Sequence, residues 1–235
     1  MSLSDDLTAG VKAIFKDTWD TRKGQKVPDP EDLKLGNDAI EFEKATILYA
    51  DLSGSTNLVN SKSWWFAAEI YKTYLLCAAK IIRAESGAIV SYDGDRVMGI
   101  WVGSSQSRPA VRCGLKINYA VQNIVNPALK ARYTETDYEL KQVVGIDVSA
   151  IRAARTGVRG GNDLVWVGRA ANYAAKLTEL NLEERTWITK EVYDRLNDKE
   201  KVGGSPARSM WKSYNWTQQG GHSIYGSTWL WEVDK

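Results

Sequence analysis

The sequence is poor in cysteine and histidine. It has two cysteines and one histidine among 235 residues, and two cysteines cannot form a disulfide framework. Both Cys77 and Cys113 fall in helix-like segments, so we predict reduced core thiols in a cytoplasmic protein. The single histidine, His222, lies in QQGGHSIYG with no second histidine or acidic residue close by in sequence. We predict a loop residue there, without a catalytic role.

Long apolar runs and an excess of one charge sign are also absent. No apolar run approaches the length that a membrane-spanning helix needs, and the acidic N-terminal stretch MSLSDDLTAG is unlike a secretory signal. The balance of 31 basic and 29 acidic residues gives no support to a nucleic-acid or membrane-surface partner. Since the chain is 43% hydrophobic, it can bury one substantial globular core.

The order of predicted elements indicates an α+β fold. A helix over 3–18 and a polar stretch with two prolines predict an N-terminal helix and linker arm over 1–40, before a main domain over 41–235. KATILYADL predicts a strand, 63–85 a helix, and AIVSYDGDRVMGIW a hairpin around Asp-Gly. A second helix begins near Pro109, and YELKQVVGIDVSAIRAARTG predicts a strand, a turn and another strand.

This order matches a ferredoxin-like βαββαβ core, followed by additional C-terminal strands and helices. LVWVG predicts a short strand, RAANYAAKLTEL a helix, and STWLWEV a closing strand. Four tryptophans of the C-terminal region are expected to pack in the core rather than to bind a ligand: Trp211, Trp216, Trp229 and Trp231.

Two aspartates should meet at one edge of this sheet. Asp51 ends the first strand and Asp95 lies at the hairpin turn, and the topology places these two ends side by side. Two adjacent carboxylates are costly unless a cation lies between them, and oxygen ligands suit Mg²⁺ or Mn²⁺. The alternative is structural: Asp51 or a following serine caps the next helix, and Asp95 is a solvated turn residue.

Three stretches resemble the class III nucleotidyl cyclases. YADLSGST resembles the aromatic-x-Asp-x-x-Gly-x-Thr motif of that family, and YDGDRVMGIW resembles its Gly-Asp hairpin. VVGIDVSAIRAARTG with LVWVGRAANYAAKL is similar to its Gly-Ile segment followed by Gly-x-x-x-Asn-x-Ala-x-basic. The motifs keep the family order over roughly residues 44 to 180, so the main domain is expected to be a cyclase catalytic domain.

The resemblance implies two-metal catalysis of cyclic nucleotide formation. Asp51 and Asp95, with the Leu52 carbonyl, would hold two divalent cations, Mg²⁺ or Mn²⁺. The ribose 3′-hydroxyl of a nucleoside triphosphate would attack the α-phosphorus and expel pyrophosphate, leaving a 3′,5′-cyclic nucleotide. Backbone donors of the turn that begins the next helix would hold the phosphates; these are Ser53, Gly54, Ser55 and Thr56.

A second group of residues is expected to come from another copy of the chain. Asn172 would orient the ribose and Lys176 would meet the charge that develops on the α-phosphate. In the family these residues face the metal aspartates of a second subunit, so a homodimer with two composite sites is implied. Lys176 stands where the family usually has arginine. Without the resemblance, Asn172 and Lys176 would be an ordinary exposed polar stripe of a helix.

The base-reading positions depart from the purine cyclases. Ser91 occupies the position where lysine reads adenine or glutamate reads guanine, and Val165 replaces the usual Asp or Thr partner. Ser91, Arg96 and the Tyr49 hydroxyl could instead read a pyrimidine. The chain thus resembles the stand-alone bacterial pyrimidine cyclases of anti-phage (Pycsar) signalling, with UTP favoured over CTP. The alternative is that Tyr49 and Val165 are core residues.

Other functions remain open at this level. An adenylate or guanylate cyclase is one alternative, and a catalytically inactive nucleotide-binding or dimerisation module is another. Ferredoxin-like palms of polymerases and diguanylate cyclases also carry paired aspartates, but the hairpin here lacks a Gly-Gly-Asp/Glu-Glu-Phe-type sequence. The sequence identifies neither the activating signal nor the effector that receives the product.

Overall fold

The computed structural model describes residues 2–233 as an α+β sandwich around a mixed sheet. The strands are β1 Asp20–Lys23, β2 Asp38–Leu52, β3 Ala88–Asp93, β4 Arg96–Val102, β5 Gln142–Val158, β6 Gly161–Val167, β7 Thr186–Thr189, β8 Val202–Gly203, β9 Arg208–Ser209, β10 Lys212–Trp216 and β11 His222–Ser227. The helices are α1 Leu3–Lys16, α2 Ser55–Ser61, α3 Trp64–Ala84, α4 Ser107–Ala120, α5 Asn126–Arg132, α6 Arg169–Leu177, α7 Lys190–Tyr193 and α8 Asp198–Lys201. A π-helical turn, Val121–Val125, joins α4 to α5.

The predicted ferredoxin-like core is confirmed. Strands β2, β3, β4 and β5 lie in the order β5-β2-β4-β3, with every neighbouring pair antiparallel. Helices α3 and α4 provide the two crossovers. Beyond β5, strands β7, β11 and β10 extend the sheet, and β7 runs parallel to β5. These are the additional C-terminal elements that the sequence predicts.

The central strand β2 is buried on both faces because each face packs against a different layer. Leu48 and Ala50 point toward α3 and α4, in the larger of the hydrophobic cores. Ile47 and Tyr49 point to the opposite face, where the small residues of α6 pack. Residues of α3 meet the sheet at intervals of three or four, as an amphipathic helix requires; they include Phe66, Ile70, Tyr74, Ala78 and Ile81.

Helix α6 lies unusually close to the sheet, and one glycine permits this. A Cβ at Gly145 of β5 would come within 2.1 Å of the Ala174 carbonyl oxygen. The first turn of α6 is fixed by Arg169, whose guanidinium pairs with the fully buried Asp147 at 3.1 Å. Thr189 donates a hydrogen bond of 2.5 Å to the same carboxylate. The position of α6 over β5 is therefore set by both packing and charge.

Three predictions about secondary structure are wrong. The segment predicted as strand, turn and strand is one continuous strand, β5, because it pairs with β2 and then with β6 along its length. Only the first residue of the STWLWEV segment, Ser227, belongs to a strand (β11), and Trp229 and Trp231 pack against the core as irregular chain. His222 begins β11 instead of lying in a loop, and its Nε2 atom is 2.9 Å from Glu191. The predicted packing of Trp211 and Trp216 is confirmed, since both are buried.

The N-terminal region combines a separate helix with a strand of the main sheet. No residue of α1 is buried, and its apolar side chains Leu7 and Phe15 are exposed. Strand β1 nevertheless pairs in parallel with the start of β2, and Arg22 forms an ion pair with Asp38. The predicted boundary at residue 40 lies inside β2. Both cysteines are free thiols, with Cys113 buried on α4 and Cys77 half-buried on α3.

Among residues 2–233, we find no helix that combines the length and the apolar character needed to cross a bilayer.

Candidate active site

The end of β2 and the β3–β4 hairpin form one edge of the sheet. In the strand register, Asp51 lies opposite Arg96, and Arg96 lies opposite Asp93. Only Gly94 and Asp95 separate the two hairpin strands, and Gly94 has a φ of +59°, which suits glycine at the first central position of a two-residue turn. This short turn brings Asp95 to the edge where β2 ends.

Asp51 is held in a partly buried polar environment. Its Oδ2 atom lies 3.5 Å from the Arg96 guanidinium, and the Thr178 hydroxyl donates to the same oxygen at 3.4 Å. Burial raises the pKa of the Asp51 carboxyl above its ordinary value. Arg96 and the hydrogen bond from Thr178 act in the opposite direction, whereas the charge of Asp95 raises the pKa further. The two aspartates are thus close enough to repel each other.

Asp95 supplies an acceptor that has no protein partner. Its Oδ2 atom is buried and accepts no hydrogen bond from any of residues 2–233. An unpaired buried carboxylate oxygen beside a second carboxylate fits a divalent cation that takes oxygen ligands. No cluster of three or more Asp, Glu, His or Cys side chains suitable for a metal occurs in the described chain. Backbone and phosphate oxygens would therefore complete the coordination.

The predicted base-reading residues share the face of the sheet that carries Asp51. Ser91 lies opposite Met98, which lies opposite Tyr49, and cross-strand partners project from the same face. The Arg96 guanidinium lies over the Tyr49 ring, 5.8 Å from its centroid. Burial raises the pKa of the Tyr49 hydroxyl, so this group is neutral at physiological pH. The Arg96 Nε atom is buried without a hydrogen-bond partner in the described chain.

The turn after β2 leaves three backbone amides for an anion, one fewer than predicted. The Ser53 amide is not available, because it donates to the Lys141 carbonyl at 2.9 Å. Gly54 is the N-cap of α2 with a φ of +74°, and no side chain caps the helix. The alternative in which Asp51 or a serine caps this helix is therefore wrong. The Ser55 and Thr56 amides belong to the first turn, where helices have no internal acceptor.

Asn172 and Lys176 lie on the exposed side of α6, four residues apart. The opposite side of this helix is buried, through Ala170, Ala171, Ala174 and Leu177. Among the contacts of residues 2–233, neither Asn172 nor Lys176 makes a side-chain hydrogen bond or ion pair. Both side chains are thus free to contact a molecule outside this copy of the chain.

Val165 is far from the aspartates within one copy. It lies on β6 opposite Ala154, and Ala154 lies opposite Ala39 near the start of β2. Asp51 lies twelve positions after Ala39 along β2, which is about 40 Å at 3.3 Å per residue. Val165 is 42% exposed, so the alternative that it is a core residue is wrong. Tyr49 is half-buried and packs against the core beneath α6.

Bacterial proteins resemble this chain over more than nine-tenths of its length. A uridylate cyclase of Burkholderia cepacia is 50% identical over 99% of this chain and 100% of its own length. The chain belongs to the uridylate cyclase family. A second uridylate cyclase, from Xanthomonas perforans, is 48% identical over the full length of both chains. A third, from Rhodovulum sp. (strain MB263), is 34% identical over 92% of this chain and 91% of its own.

Solved structures place this uridylate cyclase family member in the class III fold. The P. aeruginosa adenylyl cyclase CyaB superposes with a TM-score of 0.65 and 19% identity, over 84% of this chain and 96% of its own. The guanylyl cyclase Cya2 gives a TM-score of 0.66 and 18% identity, over 80% and 93% of the two chains. No family model matches the sequence. The predicted class III resemblance is confirmed, and the chain is a nucleotidyl cyclase.

Sequence reasoning missed several residues around Asp51 in this uridylate cyclase family member. Thr178 is the C-cap of α6 and contacts Asp51, 127 residues away in sequence. No local sequence pattern marks that contact. Tyr74 occupies a core position of α3, yet its hydroxyl donates to the Asp51 carbonyl at 3.3 Å. Gly145 did carry a signal, since a glycine inside an apolar strand indicates close approach of another backbone.

Proposed function

We propose that the chain converts UTP to 3′,5′-cyclic UMP and pyrophosphate. The observation that carries this proposal is the group formed by Ser91, Arg96 and Tyr49 on the face of Asp51, where the residues that read a purine are missing. The uridylate cyclases that match the chain at 48–50% identity over its whole length support the same substrate.

Base selection follows from the hydrogen-bonding chemistry of this group. A guanidinium donates and cannot accept, so Arg96 favours a base edge that carries carbonyl oxygens. Uracil has carbonyls at positions 2 and 4, whereas cytosine carries an amino group at position 4. The unpartnered Arg96 Nε atom and the neutral Tyr49 hydroxyl are available as donors, and Ser91 can donate or accept. UTP is therefore favoured over CTP.

The phosphate end has a carboxylate pair and a row of amides. Asp51, Asp95 and the Leu52 carbonyl are the proposed ligands of two divalent cations, Mg²⁺ or Mn²⁺. The unpaired Asp95 oxygen and its position at the edge where Asp51 ends β2 support this assignment. Bound cations would lower the pKa of the ribose 3′-hydroxyl and neutralise the triphosphate. The amides of three residues would hold the phosphate oxygens; these are Gly54, Ser55 and Thr56.

The remaining groups are proposed to come from a second copy in a homodimer. Asn172 would orient the ribose, Lys176 would stabilise the charge on the α-phosphate, and Val165 would line the base pocket. Their exposure supports this arrangement, as does the distance between Val165 and Asp51 along the sheet. Lys176 carries the charge of the usual arginine but not its planar fork, so it would contact the phosphate as a point charge.

We assign the product to cytoplasmic signalling in antiviral defence on the resemblance to the anti-phage pyrimidine cyclases. An inactive nucleotide-binding module is the rival function. The retained pair of Asp51 and Asp95 disfavours that rival, because a binding module does not require two adjacent carboxylates.

The test is an assay of the purified chain with Mn²⁺ and each of the four nucleoside triphosphates. We expect cyclic UMP and pyrophosphate in equal amounts, with CTP turned over at least about tenfold more slowly, as for the loss of one good hydrogen bond. Arg96→Ala should reduce the UTP-to-CTP ratio of kcat/KM. The control Arg152→Ala removes an exposed arginine that pairs with Glu41, and should leave the ratio unchanged.

Preference for ATP or GTP would contradict the proposal. Tight binding of a non-hydrolysable UTP analogue, together with no cyclic UMP formed from UTP itself, would instead favour the inactive module.

A further inference from the structure

The first turn of helix α6 is held to strand β5 by directional contacts. The Arg169 guanidinium donates from Nε and Nη2 to the two oxygens of Asp147, at 3.1 and 3.2 Å. Nη2 also donates to the Val148 carbonyl at 3.0 Å, and the Ala170 amide donates to the Ser149 hydroxyl at 2.9 Å. Three consecutive residues of β5 therefore contact the first two residues of α6.

The Asp147 carboxylate at the centre of these contacts is fully buried. It accepts a third hydrogen bond from the Thr189 hydroxyl at 2.5 Å. Because an unpaired charge at this depth would be costly, Asp147 holds Arg169 in this position. The other edge of the guanidinium donates from Nη1 to Glu191 at 2.6 Å, and Glu191 lies 2.9 Å from His222. Arg169 thus joins α6 to both β5 and α7.

Packing alone gives α6 few directional constraints. Its buried side consists of three alanines and one leucine, namely Ala170, Ala171, Ala174 and Leu177, and alanines have no long side chains to interlock with the sheet. The close approach of Gly145 to Ala174 sets how near the helix lies to β5, but one such contact does not prevent rotation about that point. Hydrogen bonds at the first turn supply this constraint, because their energy depends on angle.

Arg169 begins the stripe of α6 that carries Asn172 and Lys176. The three positions are separated by three and then four residues, which is the spacing of neighbours on one helix face. Lys176 lies about 10 Å from Arg169 along the helix axis, at 1.5 Å per residue. A tilt of about 10° at the first turn would therefore displace Lys176 by about 2 Å. A misplacement of about 1 Å in a catalytic site can cost about 100-fold in rate.

We propose that Arg169 is a positioning residue for the half-site formed by Asn172 and Lys176. Its guanidinium sets the tilt and rotation of α6, so that these two side chains meet a nucleotide bound by a second copy. A lysine cannot replace it, because an ammonium group lacks the planar fork that contacts two carboxylate oxygens. The inference rests on the proposed function, which places Asn172 and Lys176 opposite Asp51 of the second copy.

Arg169→Lys tests the inference because it keeps the positive charge and removes the fork. In an assay of cyclic UMP formation with Mn²⁺, kcat should fall about 10- to 100-fold. The KM for UTP should stay within about threefold, as expected when contacts to the transition state are lost.

Arg112→Lys is the matched control. Arg112 also donates from Nε to a buried carboxylate, that of Glu85, at 3.0 Å, but it lies on α4, which packs on the other face of the sheet. Its kcat should stay within about twofold of the wild type.

Mixed dimers show which half of the site is impaired in Arg169→Lys. When the second chain is Asp51→Ala, each mixed dimer has one native site, so an equimolar mixture should recover about a quarter of the wild-type activity. When the second chain is Lys176→Ala, both sites keep an altered α6, so we expect no recovery. A general loss of folding would impair both halves of the Arg169→Lys chain, and Asp51→Ala could not restore its activity.

Glu191→Ala is a second variant that alters no fully buried charge. It removes one hydrogen bond of Arg169 at a partly exposed partner, so kcat should fall about two- to fivefold. Unchanged kcat in either variant would overturn the inference, as would recovery of Arg169→Lys with Lys176→Ala but not with Asp51→Ala. Absence of recovery between Asp51→Ala and Lys176→Ala would overturn the shared site of the proposed function, and the inference with it.

Discussion

The two ends of the central strand β2 differ in chemistry. At the carboxyl end, Asp51 lies among Arg96, Thr178 and Asp95, with unpaired buried atoms on two of these residues. At the amino end, β2 pairs with β1 and with the part of β5 that forms a hairpin with β6. That hairpin exposes apolar side chains, with Val165 at 42% and Val167 at 55% exposure.

Under the proposed function, the two ends of β2 carry two halves of one site on separate surfaces of the chain. The carboxyl end offers ligands for cations and phosphates, whereas the hairpin at the amino end exposes the apolar side chains of Val165 and Val167. Because the two ends are about 40 Å apart along β2, a single copy cannot bring them together. In a twofold pair of chains, the carboxyl end of β2 in each copy would face the β5–β6 hairpin of the other copy. Two equal sites would form in this way.

The largest expected effect comes from the charge at the carboxyl end. Asp51→Asn should reduce kcat for cyclic UMP formation on the order of 10²- to 10³-fold, as for other groups that stabilise developing charge. The measurement is cyclic UMP production with Mn²⁺. Asp163→Asn is the control, because Asp163 is an exposed aspartate of the β5–β6 hairpin. A comparable loss of kcat in Asp163→Asn would contradict the proposed difference between the two ends of β2.

Mixing two inactive variants tests whether a site is shared between copies. Asp51→Ala and Lys176→Ala should each be nearly inactive alone. In an equimolar mixture half of the dimers are mixed and each has one native site, so activity should recover to about a quarter of the wild type. The assay needs differently tagged chains, so that mixed dimers can be counted. Mixed dimers without recovered activity would show that both groups act within one copy.

Gly145→Ala should separate the packing of α6 from the chemistry of Asp51. The added Cβ would meet the Ala174 carbonyl at 2.1 Å, and overpacking of this kind costs about 1–3 kcal/mol of unfolding free energy. Urea unfolding followed by circular dichroism measures the loss. Gly10→Ala serves as the control, because nothing lies within 4 Å of its Cβ position. Equal stability of the two variants would show that α6 can move away from β5 at no cost.

The smallest expected effect is the pH dependence of stability at Asp51. Burial raises the pKa of Asp51 in the folded chain, so the folded state holds this proton more tightly than the unfolded state. Ionisation of Asp51 therefore lowers stability as the pH rises above 3.8, the ordinary value, and through the higher folded pKa. Without metal, Asp51→Asn should be more stable than the wild type at pH 7, with a thermal midpoint higher by about 1–3 °C.

That difference should shrink as the pH is lowered toward 4, and Asp163→Asn should show no such trend. Calorimetry in buffer containing a metal chelator measures it. A wild type that is more stable than Asp51→Asn at pH 7 without metal would reverse the sign of this electrostatic argument.

The sequence was sufficient to predict the core topology and the position of Asp51 and Asp95 at one edge of the sheet. Both depend on local patterns, namely an apolar strand followed by Asp and a hairpin around Asp-Gly, combined in a topology with few variants. The continuous strand β5 was not predictable, because its length depends on pairing with β2 and then with β6. Long-range pairing of this kind leaves no periodic signal in the strand itself.

The surroundings of the two aspartates were less predictable than the aspartates themselves. Thr178 lies 127 residues from Asp51 in sequence, and an ordinary helix-end position carries it. The occupied Ser53 amide depends on Lys141, which precedes another strand. Such contacts arise from three-dimensional packing. Candidate ligands of a site can therefore be predicted from a single sequence more readily than the residues that contact and orient those ligands.

The two-residue turn between β3 and β4 limits how this edge of the sheet can respond to an incoming nucleotide. Asp93 and Arg96 are paired across the hairpin, so only Gly94 and Asp95 form the turn. A loop of two residues is too short to fold over a substrate. Rotation about the side-chain bonds of Asp95 is its main freedom. Under the proposed function, closure around the triphosphate would therefore draw on elements other than this hairpin, such as the opposing surface of the second copy.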